Sequence, residues 1–346
     1  MPSSGNLIDS DGEVRVGIFD EPIADVNYRD FDLRSPFGRR RGRLARHFGF
    51  NRFQFLGALS EKLVFGCAIA DTRLIGTIFV YLYDPKSGIY EEKTFRRVLA
   101  AGIHFDTSPE SGRTSFHTLA SKASNFAEMQ SHLAPPRRDL RVALANGISI
   151  DACFHEDEPA IEPMRIATRS GASGWVYARK TAGQKVSGHV RWRDRDYDLE
   201  ALDVRGHNDW SAGYMSRRTF WNWSCLAGRD EEERVVGLNV ACGVNETSFT
   251  ENCFWLDGRL HKVDSVHFAY DRHDVMRPWR VTSYDGRVAL DFTPLGRHRE
   301  CLNAGIVGTN FNQLFGRYSG ELKTKQGERV RIRQLLGYAE SHYAKW

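Results

Sequence analysis

The stretch Leu140-Arg141-Val142-Ala143-Leu144-Ala145-Asn146-Gly147-Ile148-Ser149-Ile150-Asp151-Ala152-Cys153-Phe154 alternates large apolar side chains with charged or small ones on both sides of Asn-Gly. A period of two turns one face of a chain to a core and the other to water, so each half reads as a strand. Asn and Gly both accept the positive φ of a type I′ turn, and the pair therefore predicts a β-hairpin. The pattern recurs. Segments 62–70 and 74–83 flank a turn at Asp71-Thr72-Arg73, and 186–192 and 197–199 flank a turn at 193–196. Gly258 turns 255–256 into 260–261, and Gly286 turns 281–282 into 288–292. Helical spacing is scarce: Leu119, Ala123 and Phe126 predict one short helix, and 334–340 a last one. Segments 107–112 and 134–138, rich in Pro, Gly or charge, read as loops. The fold class is all-β and antiparallel, with many strands of roughly 6 to 9 residues, curled into barrels or sandwiches that remove open sheet edges.

A chain of 346 residues is long for one compact core and suits two domains. The predicted division, near 200–205, gives an N-terminal β unit at 1–202 and a C-terminal one at 203–346. No window approaches the roughly 18 uninterrupted apolar residues of a membrane helix. Met-Pro-Ser-Ser-Gly at the start has no basic run leading into an apolar one, so no signal peptide is expected and the cytoplasm is the simplest compartment. The six cysteines stand singly, without a CxxC, and are expected to be reduced and mostly buried. The twelve histidines form no HxH or HExxH, so no metal site is expected. No GxGxxG, GxxxxGK[ST] or GxSxG is present, which disfavours nucleotide cofactors and serine-hydrolase chemistry; no cofactor is expected. The net charge of +4 is weak for this length, and no nucleic-acid-binding motif accompanies it. Its one concentration, Arg39-Arg40-Arg41-Gly42-Arg43, is either a phosphate-facing patch or a solvated loop before the first strong strand.

The last third interleaves Trp, Arg, Asn and Glu on predicted strands. A core prefers aliphatic residues; a pocket with polar anchors uses this mixture. The segments are Gly213-Tyr214, Arg217-Arg218-Thr219, Trp221-Asn222-Trp223, Gly237-Leu238-Asn239, Thr250-Glu251-Asn252, Leu256-Asp257-Gly258, Arg277-Pro278-Trp279-Arg280, Phe315-Gly316, Tyr318-Ser319-Gly320 and the closing Ala339-Glu340 with His342 and Trp346. Together they resemble the DUF2804 family, a domain family of unknown function, and looser matches at Ala68-Ile69-Ala70-Asp71, Phe79-Val80-Tyr81 and Glu92-Lys93-Thr94 carry the resemblance over nearly the whole chain. That family is distantly similar to the AttH and carotenoid 1,2-hydratase group. The resemblance implies two tandem lipocalin-like β-barrels and an apolar substrate held in a barrel-mouth or inter-barrel cavity with few polar groups.

Four residues are candidate proton-transfer groups. Glu251 enters the apolar Cys253-Phe254-Trp255 run, and a carboxyl group drawn into an aromatic cavity can act as general acid or base near neutral pH. The competing reading is a structural ion pair with Arg217 or Arg218. Asp209 could share acid and base roles with it, or simply start a turn. Glu340 and His342 face one side if they lie on a strand, and could form a dyad or cap the second barrel. Candidate ligand-binding residues are Arg217, Trp221, Asn222, Trp223, Asn252, Trp255, Trp279, Asn310 and Gln313. Arg217 shares parity with Trp221 and Trp223 on a strand, and amides among aromatics need partners when buried. Two functions follow. One is a cofactor-independent lyase or isomerase, hydratase- or cyclase-like, acting on an apolar or amphipathic small molecule. The other is a non-catalytic lipid- or metabolite-binding double barrel. A glycan-active hydrolase is a third, and any exposed aromatics would equally suit a homodimer interface.

Overall fold

Alternating apolar and polar residues carry almost the whole chain into antiparallel strands. The computed structural model describes residues 5–118, 124–243, 249–305 and 307–345. They form two curled sheets. The first has 14 strands. Its path runs Tyr90–Val98, Ile75–Tyr83, Val64–Asp71, Asn51–Leu59, Arg205–Gly213, Gly174–Trp192, Ser149–His155, Pro136–Ala143, Phe126–Leu133, Arg113–His117 and Ile103–Phe105. The second has nine strands, in the order Arg259–Lys262, Cys253–Leu256, Val235–Cys242, Arg218–Arg229, Arg329–Lys345, Gly308–Lys323, Val288–Asn303, Trp279–Ser283 and Val266–Ala269. The lipocalin-like pair of barrels is what the sequence predicts. The first sheet extends past residue 202, however: Arg205–Gly213 is one of its central strands, paired on both sides, so the change of sheet falls between Gly213 and Arg218.

The hairpin at 140–154 forms with Val142 opposite Ile150 and Leu140 opposite Ala152. All four are buried in the first barrel. Its turn differs in detail: Leu144 N–H donates to the Ile148 carbonyl at 2.9 Å, and of Asn146 and Gly147 only Gly147 has positive φ, at 91°. The loop therefore has three residues ending in a glycine, the next most common solution after the two-residue turn.

Two predicted helices are absent or lie beyond view. Segment 334–340 belongs to the strand Arg329–Lys345. Leu336 and Tyr338 pack between the sheets while Ala339 packs inside the second barrel. A strand buried on both faces loses the polar half of its alternation and can be mistaken for a helix. Leu119 and Ala123 lie outside the described residues, and Phe126 opens the strand Phe126–Leu133. The predicted loop at 134–138 shrinks to a tight turn, with a strand resuming at Pro136. One helix, Arg43–Phe48, follows the basic run. Among the described residues no helix is long and apolar enough to cross a membrane.

Among the described residues the apolar side chains gather in four clusters: the interior of each barrel, one that packs the N-terminal segment onto Trp175, Tyr177 and Trp210, and a layer between the sheets built by Phe55, Phe79, Tyr81, Trp223, Phe315 and Tyr338 among others. In this middle layer Gly57 makes a close approach possible. A Cβ there would lie 2.3 Å from His207 Nε2. Gly57→Ala is expected to overpack the layer and to destabilise by about 1–3 kcal/mol, read as a lower urea midpoint with unchanged slope. An unchanged midpoint would mean that the His207 ring moves freely.

Candidate functional site

A cavity of about 250 Å³ opens between the two sheets. Its walls follow from register, because residues opposite one another on paired strands point to the same face about 5 Å apart. Across the second sheet one row reads Trp223, Glu340, Gln313, His298. The next reads Trp221, His342, Phe311, Glu300. Across the first sheet one row reads Lys180, Asp209, Phe55, Ala68, Phe79, and a second reads Ala178, Ser211, Phe53, Ala70, Thr77, Arg96. The rows face each other across the cavity.

The floor is ionic. Lys180 Nζ lies 2.8 Å from Asp209 Oδ2 and 2.7 Å from Glu251 Oε1, so one ammonium joins a carboxylate of the first sheet to one in the segment leading into the strand Cys253–Leu256. Ser211 donates to the second oxygen of Asp209 at 2.9 Å. Asn239 donates to the Glu251 backbone carbonyl at 3.2 Å and accepts from Trp223 Nε1 at 2.8 Å. Burial works against the Lys180 charge, but Asp209 and Glu251 outweigh it and raise the ammonium above the usual lysine range. Burial, with Glu251 adding to it, raises the Asp209 carboxyl against the pull of Lys180.

Glu340 stands on the second-sheet wall and forms no salt bridge among the described residues, with Lys180 acting on it only at longer range. Gln313 Nε2 donates to its Oε1 at 2.6 Å and Trp221 Nε1 to its Oε2 at 3.3 Å. Burial raises its pKa to about 7, against those two hydrogen bonds and with Asp209 adding to the rise. His342 lies between Trp221 and Phe311, with ring centroids 4.1 and 4.6 Å away. Its Nε2 meets Thr309 Oγ1 at 2.8 Å. Burial, then the nearby His298, lowers its pKa to about 3 and keeps it neutral.

Beyond Gln313, His298 packs on Phe79 and Phe311, at 5.4 and 5.1 Å. Its Nδ1 lies 2.6 Å from Glu92 Oε2 and 2.7 Å from Tyr90 Oη. Its Nε2 and the facing Gln313 Oε1 are buried without a protein hydrogen-bond partner. At the rim, Arg96 pairs with Glu300 at 2.5 Å and Arg52 with Asp71.

Of the residues singled out from sequence, Glu251, Asp209, Glu340, His342, Trp221, Trp223 and Gln313 line this cavity. The others do not, for reasons of register. Arg217 precedes its strand and is exposed. Glu251 pairs with Lys180 at 2.7 Å. Asn222 alternates away from Trp221 and Trp223 and bonds the Glu340 carbonyl and Tyr270. Asn310, between Thr309 and Phe311, faces outward. Asn252 is a structural tie between Ala241 N and the Asp264 carbonyl. Trp255 donates to the Glu162 carbonyl at 2.7 Å, and Trp279 packs on Tyr270 inside the second barrel. Lys180 and His298 escape sequence reading. Among the described residues no group of three or more His, Cys, Asp or Glu is placed to hold a metal ion.

The model of the family described as a domain of unknown function, DUF2804, matches residues 1–346. No curated protein sequence matches the chain. Among solved structures, CghA is similar with a TM-score of 0.56 at 10% identity, covering 99% of this chain and 97% of that one. CghA has also been solved with Sch210972. Kievitone hydratase from Nectria haematococca is similar with a TM-score of 0.46 at 8% identity, covering 85% of this chain and 88% of that one.

Proposed function

The chain belongs to the DUF2804 family, and from its cavity we propose that it is a cofactor-independent enzyme of lyase or isomerase type, moving a proton on an apolar or amphipathic small molecule. The observation that carries this reading is Glu340: a carboxyl group in an aromatic-walled cavity, oriented by Gln313 and Trp221, with a pKa of about 7. A group poised near ambient pH is available as both acid and base, which is what general acid–base catalysis needs. The Lys180–Asp209–Glu251 floor supplies fixed charge opposite it. His298, held by Glu92 and Tyr90, offers a second nitrogen on the same row for the proton that must leave when Glu340 delivers one. Trp221, Trp223, Phe53, Phe55, Phe79 and Phe311 suit an apolar substrate body. Glu251, the first acid suggested by sequence, is assigned here to the floor because its carboxylate is tied to Lys180.

The structures of CghA, solved with Sch210972, and of kievitone hydratase carry names consistent with small-molecule chemistry on this fold, but the reaction is argued from the side chains of this chain. The test is solvent isotope incorporation. The protein is incubated in D₂O with a panel of enones, polyenes and cyclic terpenoids, and the small molecules are weighed by mass spectrometry. Deuterium enters at least one of them, and Glu340→Gln slows that entry by about 100-fold or more while leaving binding in place. Binding without isotope entry would instead establish the non-catalytic carrier. Isotope entry that Glu340→Gln leaves untouched would remove Glu340 from the chemistry.

A further inference from the structure

The basic run opens a second question, because the chain passes from it through one short helix to residues that line the cavity. Its loop is ordered: Ser35 N–H donates to the Arg39 carbonyl at 2.8 Å, Arg41 N–H to the Leu33 carbonyl at 2.9 Å, and Asp32 pairs with Arg34 and Arg40. This frame holds Phe37 at the tip with 93% of its surface exposed, and Leu44 follows at 75%. Arg39, Arg41 and Arg43 are exposed between them and make no ion pair among the described residues. The helix Arg43–Phe48 then leads straight into the strand Asn51–Leu59, whose first residues Asn51, Arg52 and Phe53 line the cavity.

A second exposed apolar pair lies beside another lining segment. Val98 and Leu99 are 77% and 63% exposed. Val98 is the register partner of Ile75, and Leu99 N–H donates to the Leu74 carbonyl at 2.9 Å. Ile75 and Thr72 line the mouth. Arg73 clamps this turn to the other segment, its guanidinium 5.8 Å from the Tyr28 and Phe50 ring centroids, with those rings stacked 3.8 Å apart. Two apolar tips, one of them with three arginines that make no ion pair among the described residues, are therefore each joined by a short segment to residues lining the apolar cavity.

We propose that this rim docks the protein on an anionic membrane surface, with Phe37, Leu44, Val98 and Leu99 entering the headgroup region and Arg39, Arg41 and Arg43 meeting lipid phosphates. Apolar side chains beside unpaired cations are the combination that anchors a protein in the interfacial plane without spanning it. Isolated surface aromatics need no explanation, but a side chain held out on a braced loop beside three free cations is matched in both polarity and charge by anionic lipid. Docking there also gives an apolar substrate a route from bilayer to cavity that avoids water. The proposal stands apart from the reaction assigned above: a carrier would need the same route.

The test is co-sedimentation of the full chain with vesicles of phosphatidylcholine, alone and mixed with phosphatidylglycerol. Binding is expected to the mixed vesicles, and to weaken as salt is added. Arg39→Gln, Arg41→Gln and Arg43→Gln together reduce it by roughly 100-fold, about fivefold per arginine. Phe37→Ser with Leu44→Ser reduces it by at least about tenfold. All five positions are exposed, so circular dichroism and the urea midpoint stay at wild-type values in these variants. Absence of vesicle binding overturns the proposal, as does binding that both sets of substitutions leave intact. A gel shift with nucleic acid in place of vesicle binding, or a dimer that Phe37→Ser dissociates, would give the rim to a different partner and overturn it equally.

Discussion

Lys180→Met is expected to destabilise the protein by about 3–5 kcal/mol, among the larger effects of any single substitution. The reason is arithmetic of charge. Asp209, on a strand of the first sheet, and Glu251, just before a strand of the second, both reach Lys180 Nζ within 2.8 Å. Remove the ammonium and two buried carboxyl groups lose the cation they share. Each must then take up a proton or draw in water, and either is costly where burial already disfavours charge. Urea unfolding at neutral pH measures the loss as a lower midpoint. Two controls fix the cause. Lowering the pH supplies the missing protons, so the deficit of Lys180→Met shrinks in mild acid. Adding Asp209→Asn and Glu251→Gln to the same chain removes both stranded charges and recovers most of the stability. A Lys180→Met protein as stable as wild type would mean that water, and not protein, surrounds the floor.

The second large effect is on pH dependence, and its sign differs between neighbours. His207 and His342 are buried and neutral, each with its pKa lowered to about 3, in both cases chiefly by burial. A histidine whose folded pKa lies below its unfolded value stabilises fully above about pH 6.5 and less as the pH falls toward 3, because only the unfolded chain takes up its proton. Glu340 runs the other way. With a folded pKa of about 7 against about 4.3 unfolded, it favours the native state at low pH and loses that contribution as the pH rises from about 4.3 to 7. Asp209, also raised, acts in the same direction as Glu340. Between pH 6 and 4.5, His342→Gln should therefore lower the slope of stability against pH by about 1.4 kcal/mol per pH unit, one proton's worth. Glu340→Gln should raise that slope by the same amount. Urea midpoints at a few pH values distinguish the two variants, and parallel profiles in all three proteins would show that neither group titrates in the folded state as its burial requires.

The fold was legible where one face of a strand meets water. At 140–154 the alternation survives because Arg141, Ser149 and Asp151 lie on the outer side of the first sheet. It failed at 334–340, where both faces are covered. The site was legible where strand parity holds: Trp221 and Trp223 share a face, and Glu340 and His342 share one. It failed where a residue's parity was right but its strand had not begun, as at Arg217, or where an amide alternated outward, as at Asn310. Lys180 was hidden for a different reason. Its partners Asp209 and Glu251 belong to other strands and segments, and only the pairing of the sheets brings the three together. A lone lysine in a strand ordinarily marks an exposed edge, and nothing local distinguishes this one.

Arg179 and Lys180 are consecutive, so the strand Gly174–Trp192 carries charge on both sides. On one side Arg179 is locked to Glu110 and Glu156 at 2.8 and 2.6 Å. On the other Lys180 forms the cavity floor. The two clusters are the obverse and reverse of a single ribbon, and neither can shift without dragging the other. Such a floor behaves as an anvil. Any adjustment to the shape of a guest must come from the opposing wall, where Trp221 and Phe311 are held by packing, and from the rim, where the Arg96–Glu300 pair is partly open to water. Diversification of guests within this architecture would accordingly be found in the wall and rim residues, with the Arg179–Lys180 strand left alone.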